Sequence, residues 1–288
     1  MKSTLFQGAC TALVTPFANG KVNLPMFCSL IERQIESGIS CFVLCGTTGE
    51  APTLSDSEKL RIFSYVKQQF PKQTIICGTG SNDTQHTISL SAAAEQAGAD
   101  ALLLVSPYYN KANAEGLVSH YSAIAAAVHI PIILYNVPGR TGLDIPVSVY
   151  KALSRIPNIA GVKEASTDIT KISKIKSACP CSFSVWSGND DMTVPAMALG
   201  ASGVISVVSN IAPMEMQEMC LAALAGDFDT AAALQQELMP LAEALFSEVN
   251  PIPVKAAMKL IGYDCGSCRL PLSMPSSDTM EKLTRLLT

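Results

Sequence analysis

Eight short apolar runs recur along the chain, and they constrain its fold more than any other feature. They are 9–17 (ACTALVTPF), 39–46 (ISCFVLCG), 74–80 (TIICGTG), 99–107 (ADALLLVSP), 130–138 (IPIILYNVP), 159–166 (IAGVKEAS), 182–188 (SFSVWSG) and 201–210 (ASGVISVVSN). Between them, 24–38, 55–70, 83–99, 115–128 and 146–156 carry helical periodicity. A strand that is apolar on both faces needs cover on both, which parallel sheets obtain from crossover helices. Junctions such as AGAD and SGIS supply the glycine that ends a helix before the next strand. Eight strand–helix units in about 210 residues is the count of a closed (β/α)8 barrel. A doubly wound sheet would want a glycine-rich phosphate turn after its first strand, and TPFANG is not one. GTGSND at 78–83 lacks that spacing too. The expectation is therefore an α/β chain with a (β/α)8 TIM barrel over 1–210. Residues 211–288 read as helices packed on the barrel, a C-terminal helical extension.

Charge and cysteine usage exclude several classes. The formal net charge is −4 and no basic block occurs, which argues against nucleic acid as a partner. No window approaches the roughly 18 apolar residues of a membrane span. MKSTLFQGAC resembles a lipoprotein cleavage site, but its apolar part is too short and carries Gln7. A soluble, cytoplasmic protein is expected. The ten cysteines mostly sit in apolar contexts and read as reduced core thiols. Cys265 and Cys268 have CxxC spacing, but a lone pair without a second pair or a nearby histidine is a weak metal signal. His86, His120 and His129 do not cluster. No metal and no dinucleotide cofactor is implied.

In such a barrel the chemistry gathers at the C-terminal ends of the strands. Those ends carry GTTGE (Thr47, Thr48), SPYYN (Tyr108, Tyr109), LYNVPGRTG (Tyr135, Arg140), WSGND (Gly188, Asp190) and VIS (Ile205, Ser206). The sixth run holds Lys163 in a segment otherwise built for the core. An ammonium there costs several kcal/mol unless it is paired or deprotonated. Glu164 is a poor partner, because adjacent strand residues point to opposite faces. Taken singly, each residue has an ordinary structural use: a helix-capping turn, a subunit contact, a core phenol, a surface salt bridge. Their convergence on one rim suits carbonyl chemistry. An amine attacks a ketone to form a Schiff base, and a dry interior disfavours the amine's charged form. A neighbouring tyrosine shuttles protons, hydroxyls and backbone amides hold a keto-acid carboxylate, and an arginine holds a second carboxylate.

GTTGE, SPYYN, LYNVPGRTG and GVKEAS, in this order, closely resemble the dihydrodipicolinate synthase family of pyruvate-dependent aldolases, whose superfamily includes N-acetylneuraminate lyase. The resemblance spans essentially the whole chain. It implies that Lys163 forms the Schiff base with pyruvate, and that Tyr135, Thr47 and Tyr109 form a proton relay. The equivalent of Tyr109 in the family comes from a neighbouring subunit. It also implies that Thr48 holds the pyruvate carboxylate and Arg140 the carboxylate of aspartate semialdehyde. Gly188 and Ile205 would line the site. The implied product is the cyclic precursor of diaminopimelate and lysine, and the implied assembly is a homotetramer, a dimer of dimers. At positions where feedback-inhibited relatives carry a histidine and a glutamate, this chain has Lys59 and His86. The fixed cation, joined by a second when His86 is protonated, would repel a lysine ammonium, and the expected carboxylate is missing, so weak or absent lysine inhibition is expected. A sugar-acid aldolase is disfavoured by Arg140, which a neutral polyol aldehyde does not need. A non-catalytic binder is disfavoured by the complete set of Lys163, Tyr135, Thr47 and Tyr109.

Overall fold

The computed structural model describes residues 4–288. Eight parallel strands close into a ring: β1 Gly8–Ala12, β2 Cys41–Leu44, β3 Thr74–Gly78, β4 Ala101–Val105, β5 Ile132–Asn136, β6 Ile159–Glu164, β7 Ser184–Ser187 and β8 Gly203–Ser206. Each pairs with its neighbour in sequence, and β1 pairs with both β2 and β8 to shut the barrel. Each of the eight apolar runs supplies one strand. Besides a four-residue helical turn at Pro138–Thr141 that carries Arg140, the barrel helices are α1 Leu24–Glu36, α2 Asp56–Gln69, α3 Thr84–Gln96, α4 Ala114–Ala127, α5 Val147–Leu153, α6 Thr170–Ala178, α7 Thr193–Ala198 and α8 Pro213–Ala225. α8 follows residue 210 and returns to β1, where Gln217 Oε1 accepts from the Ala9 amide at 2.9 Å. Three more helices form the extension: α9 Phe228–Leu245, α10 Ile252–Leu260 and α11 Ser277–Leu287.

Alternation along the strands divides the apolar residues between two clusters. Cys10, Val43, Leu103, Ile133, Trp186 and Ile205 fill the barrel interior. Phe42, Ile75, Leu102, Leu134, Val162 and Val185 face outward and pack in the layer shared with the helices. This is why the strands read as continuous apolar runs: both faces are dry.

β6 breaks the alternation once. Ile159 pairs with Ile132, but the next partner of β5, Ile133, pairs with Gly161, so the register shifts by one residue. Beyond the shift Lys163 lies level with Tyr135 on one side and Trp186 on the other, both interior residues. Partners level with one another in a parallel sheet share a face, so Lys163 points into the barrel. Gly161 is required at this step. A Cβ there would overlap the Ser184 carbonyl and come 2.9 Å from Trp186 Cζ3.

The extension is fastened to the rim that follows β2. Lys255 of α10 donates to Glu50 Oε1 at 2.8 Å, with both side chains buried. The Arg269 amide donates to Glu50 Oε2, and its guanidinium grips Glu58 of α2 at 2.6 and 2.9 Å. Lys255 and Arg269 both lie 4.4 Å from the ring centroid of Phe17. Among the described residues no helix is long and apolar enough to cross a membrane.

Candidate active site

Lys163 is 5% exposed, and its Nζ sits 4.6 Å from the centroid of the Tyr135 ring. It takes part in no ion pair among the described residues. Its neighbour Glu164 faces outward, where it accepts from Asn136 Nδ2, the Tyr150 hydroxyl and the Ser166 amide, with Lys171 Nζ 3.7 Å away. The interior lysine is thus left unpaired while the exterior one carries the carboxylate. Gly188, just beyond β7, gives Lys163 room: a Cβ there would come 3.0 Å from Lys163 Cε and 2.6 Å from Ala165 Cβ. Ile205 is buried in the barrel interior, level with Cys10.

A cavity of about 810 Å³ opens over the ends of β2 to β5. Thr47, Tyr135 and Arg140 all line it, so residues from two separate motifs meet at one cavity. Cys45 lines it as well, but burial pushes its thiol up to about 12, which keeps it protonated and unreactive at neutral pH. Thr48 is buried behind the wall, its Oγ1 accepting from Asn250 Nδ2 at 3.0 Å. Arg140 Nη2 donates to the Asn250 carbonyl at 3.1 Å. Asp190, beyond β7, accepts from the Val207 and Val208 amides after β8. Burial raises its pKa, and the Lys163 charge acts in the opposite direction.

Tyr109 does not join these residues. It is 90% exposed, while Tyr108 lines the cavity in its place. The reason is local. Tyr109 has φ +71, and the Asn110 amide donates to the Tyr108 carbonyl at 2.9 Å, a tight three-residue turn. Asn110 Nδ2 also donates to the Asn82 carbonyl, fixing the turn to the neighbouring rim. The side chain is held away from its own barrel.

Lys59 and His86 both line the far end of the cavity, as does Asp56, which sequence reading passed over. His86 Nε2 lies 2.7 Å from Asp56 Oδ2, and Lys59 Nζ lies 4.0 Å from Oδ1. One carboxylate therefore stands between the lysine and the imidazole. Glu50 and Asn250 were also missed. The Asn–Pro dipeptide at 250–251 marks a turn, but nothing in it points to Thr48, about 200 positions upstream. Among the described residues no group of three or more His, Cys, Asp or Glu is arranged to hold a metal. Cys265 and Cys268 are free thiols pushed up by burial to about 12 and about 11.

An unpaired amine inside a (β/α)8 barrel, against the ring of a tyrosine from the next strand, belongs to the Schiff-base-forming carbon–carbon lyases. Within that class the chain belongs to the dihydrodipicolinate synthetase family, whose model matches residues 5–288. The chain is similar to the 4-hydroxy-tetrahydrodipicolinate synthase of Acetivibrio thermocellus. The two are 46% identical over 288 residues, covering 100% of this chain and 98% of that one. The crystal structure of dihydrodipicolinate synthase from Thermotoga maritima superposes with a TM-score of 0.96 at 41% identity and covers 98% of both chains. The chloride-inhibited dihydrodipicolinate synthase of Acinetobacter baumannii, complexed with pyruvate, gives 0.95 at 43% identity, covering 98% of this chain and 97% of that one.

Proposed function

We propose that Lys163, Tyr135, Thr47 and Tyr109 are the catalytic residues of this chain, with Thr48, Arg140, Gly188 and Ile205 shaping the substrate site. The reaction is the condensation of pyruvate with L-aspartate 4-semialdehyde to 4-hydroxy-tetrahydrodipicolinate, in diaminopimelate and lysine biosynthesis. The observation that carries the assignment of roles is the interior lysine at 4.6 Å from the Tyr135 ring with no carboxylate partner.

The neutral amine of Lys163 adds to C2 of pyruvate, and the carbinolamine loses water to give an iminium. The iminium withdraws electrons from C3, so a proton leaves the methyl group and an enamine forms. The enamine carbon attacks the aldehyde carbon of the second substrate, whose oxygen takes up a proton. The substrate's amine then replaces Lys163 at C2, which closes the ring and frees the enzyme. Each step moves a proton beside Lys163, and the Tyr135 hydroxyl is the exchangeable group on the adjacent strand. Thr47, which lines the same cavity, extends the relay. Arg140, at the rim, offers a planar donor pair to the second carboxylate. No metal is used, because the covalent iminium is itself the electron sink.

Tyr109 completes the relay in a neighbouring copy. Its outward turn supports that reading, and the proposed assembly is a homotetramer, a dimer of dimers. The cytoplasm is the proposed location, in keeping with ten free cysteines. Inhibition by lysine is weak or absent, with Lys59, joined by His86 when protonated, supplying the repulsion and Asp56 moderating it.

The test is pyruvate consumption by purified protein with aspartate semialdehyde or N-acetylmannosamine. Borohydride trapping of the pyruvate adduct and a lysine titration accompany it. Consumption with aspartate semialdehyde alone, an adduct on Lys163 and its absence in Lys163→Ala are expected. Consumption with N-acetylmannosamine would instead move the chain to the sugar-acid aldolases. Strong inhibition at low lysine concentration would overturn the regulatory reading.

A further inference from the structure

Asn250 lies between α9 and α10, outside the barrel, yet it touches two of the proposed substrate-binding residues. Its Nδ2 donates to Thr48 Oγ1 at 3.0 Å, and its carbonyl accepts from Arg140 Nη2 at 3.1 Å. It is 5% exposed, and its Oδ1 is buried without a hydrogen-bond partner. An orphaned buried acceptor is costly, and a leucine of similar size would remove that cost. Folding alone does not account for an amide at this position.

The polarity of the contact gives it a use. A hydroxyl has one proton to donate and lone pairs to accept with. With Nδ2 occupying a lone pair of Thr48 Oγ1, the Thr48 proton is left to point elsewhere, toward an anion. The Asn250 carbonyl meanwhile holds one arm of the Arg140 fork and restricts where the guanidinium can sit. We infer that Asn250 is a positioning residue that keeps the Thr48 hydroxyl a donor toward the keto-acid carboxylate and sets that subsite at a fixed distance from Arg140. The inference rests on the substrate roles proposed above for Thr48 and Arg140. The two contacts divide by chemistry. The first uses the side chain and is lost on substitution. The second uses the backbone and survives it.

Asn250→Asp and Asn250→Leu separate the amide donor from the space it fills. Aspartate keeps the shape but becomes an acceptor, so the Thr48 proton turns toward it and a negative charge enters the subsite. Leucine removes both polar atoms. The expected result in both variants is a rise of about tenfold or more in the KM for pyruvate, the size of one hydrogen bond to a charged group. The KM for aspartate semialdehyde and kcat at saturating pyruvate should stay within about threefold. The leucine variant should melt at or above the temperature of the unaltered protein. In a Thr48→Val background, Asn250→Leu should add little further to the pyruvate KM, since both act through one hydroxyl. An unchanged pyruvate KM in both variants overturns the inference, as does a full additive loss in the Thr48→Val background. If Asn250→Asp fails to fold, the leucine variant and the double variant still decide. Borohydride trapping with the unaltered protein keeps the two readings apart. An adduct on Lys163 with unchanged variant KM values overturns the role of Asn250 alone. No adduct overturns the pyruvate reading and this inference with it.

Discussion

On the outer face of β6, Glu164 accepts hydrogen bonds from Asn136, Tyr150 and the Ser166 amide, while one residue earlier Lys163 faces inward beside Tyr135. Two titratable neighbours are thereby separated by the sheet. One is tied into a polar network and the other is left with an aromatic face. The tyrosine ring packs, and its hydroxyl is the part assigned to proton transfer. Tyr135→Phe keeps the ring and removes that hydroxyl. It should lower kcat by about 10²- to 10⁴-fold, the range for one general acid–base group, with little change in thermal stability. Steady-state kinetics and the rate of borohydride-trapped adduct formation check it. A kcat within threefold of the unaltered protein would remove Tyr135 from the relay.

At the scale of elements, the rim after β2 is a joint between barrel and extension. Glu50, in a left-handed conformation at φ +57, receives Lys255 and the Arg269 amide. Breaking one side of a buried pair strands the other charge. Lys255→Met should therefore cost about 3–5 kcal/mol in urea unfolding, and adding Glu50→Gln should restore more than half of it. Glu58, in the first turn of α2, behaves differently because it is partly exposed. Its hydrogen bond to Arg269 lowers its pKa from an ordinary 4.5 to about 2. Its contribution is therefore present above pH 4.5 and lost as pH falls toward 2. Allowing for solvent screening, that contribution is about 1–2 kcal/mol. The stability gap between the unaltered protein and Glu58→Gln should close over that window. A gap that persists at pH 2 would show that the carboxylate's charge is not what Arg269 holds. Strand order and the lysine-bearing strand were legible because burial on two faces leaves continuous apolar runs. Thr47, Tyr135 and Arg140 were legible because strand ends converge in a closed barrel. The contacts of Glu50 and Asn250 were not. They join the segment after β2 to residues about 200 positions downstream, and such contacts leave no period in the sequence. The outward turn at Tyr109 was implied only by the resemblance and not by the residues: it depends on one positive φ, and tyrosine gives no sign of that.

For the whole molecule, the exposed Tyr109 supports the proposed sharing of the relay between copies. Mixing two inactive proteins tests this. Tyr109→Phe retains Lys163, and Lys163→Ala retains Tyr109. After subunit exchange, hybrids should recover activity at sites where an intact lysine meets an intact tyrosine lent by the other copy. Recovery measured against unmixed controls, with the assembly size followed by light scattering, checks both the shared relay and the tetramer. No recovery after demonstrated exchange would mean that each copy uses its own tyrosine.

The register shift in β6 decides which functional group the barrel encloses. Counting alternation from Ile159, which faces outward, an unbroken strand would send Lys163 outward too and turn Val162 and Glu164 inward. The extra residue resets the phase, so that the amine and not the acid faces the interior. The role proposed for Lys163 therefore rests on a parity, one unpaired residue placed upstream of it, as much as on the lysine itself.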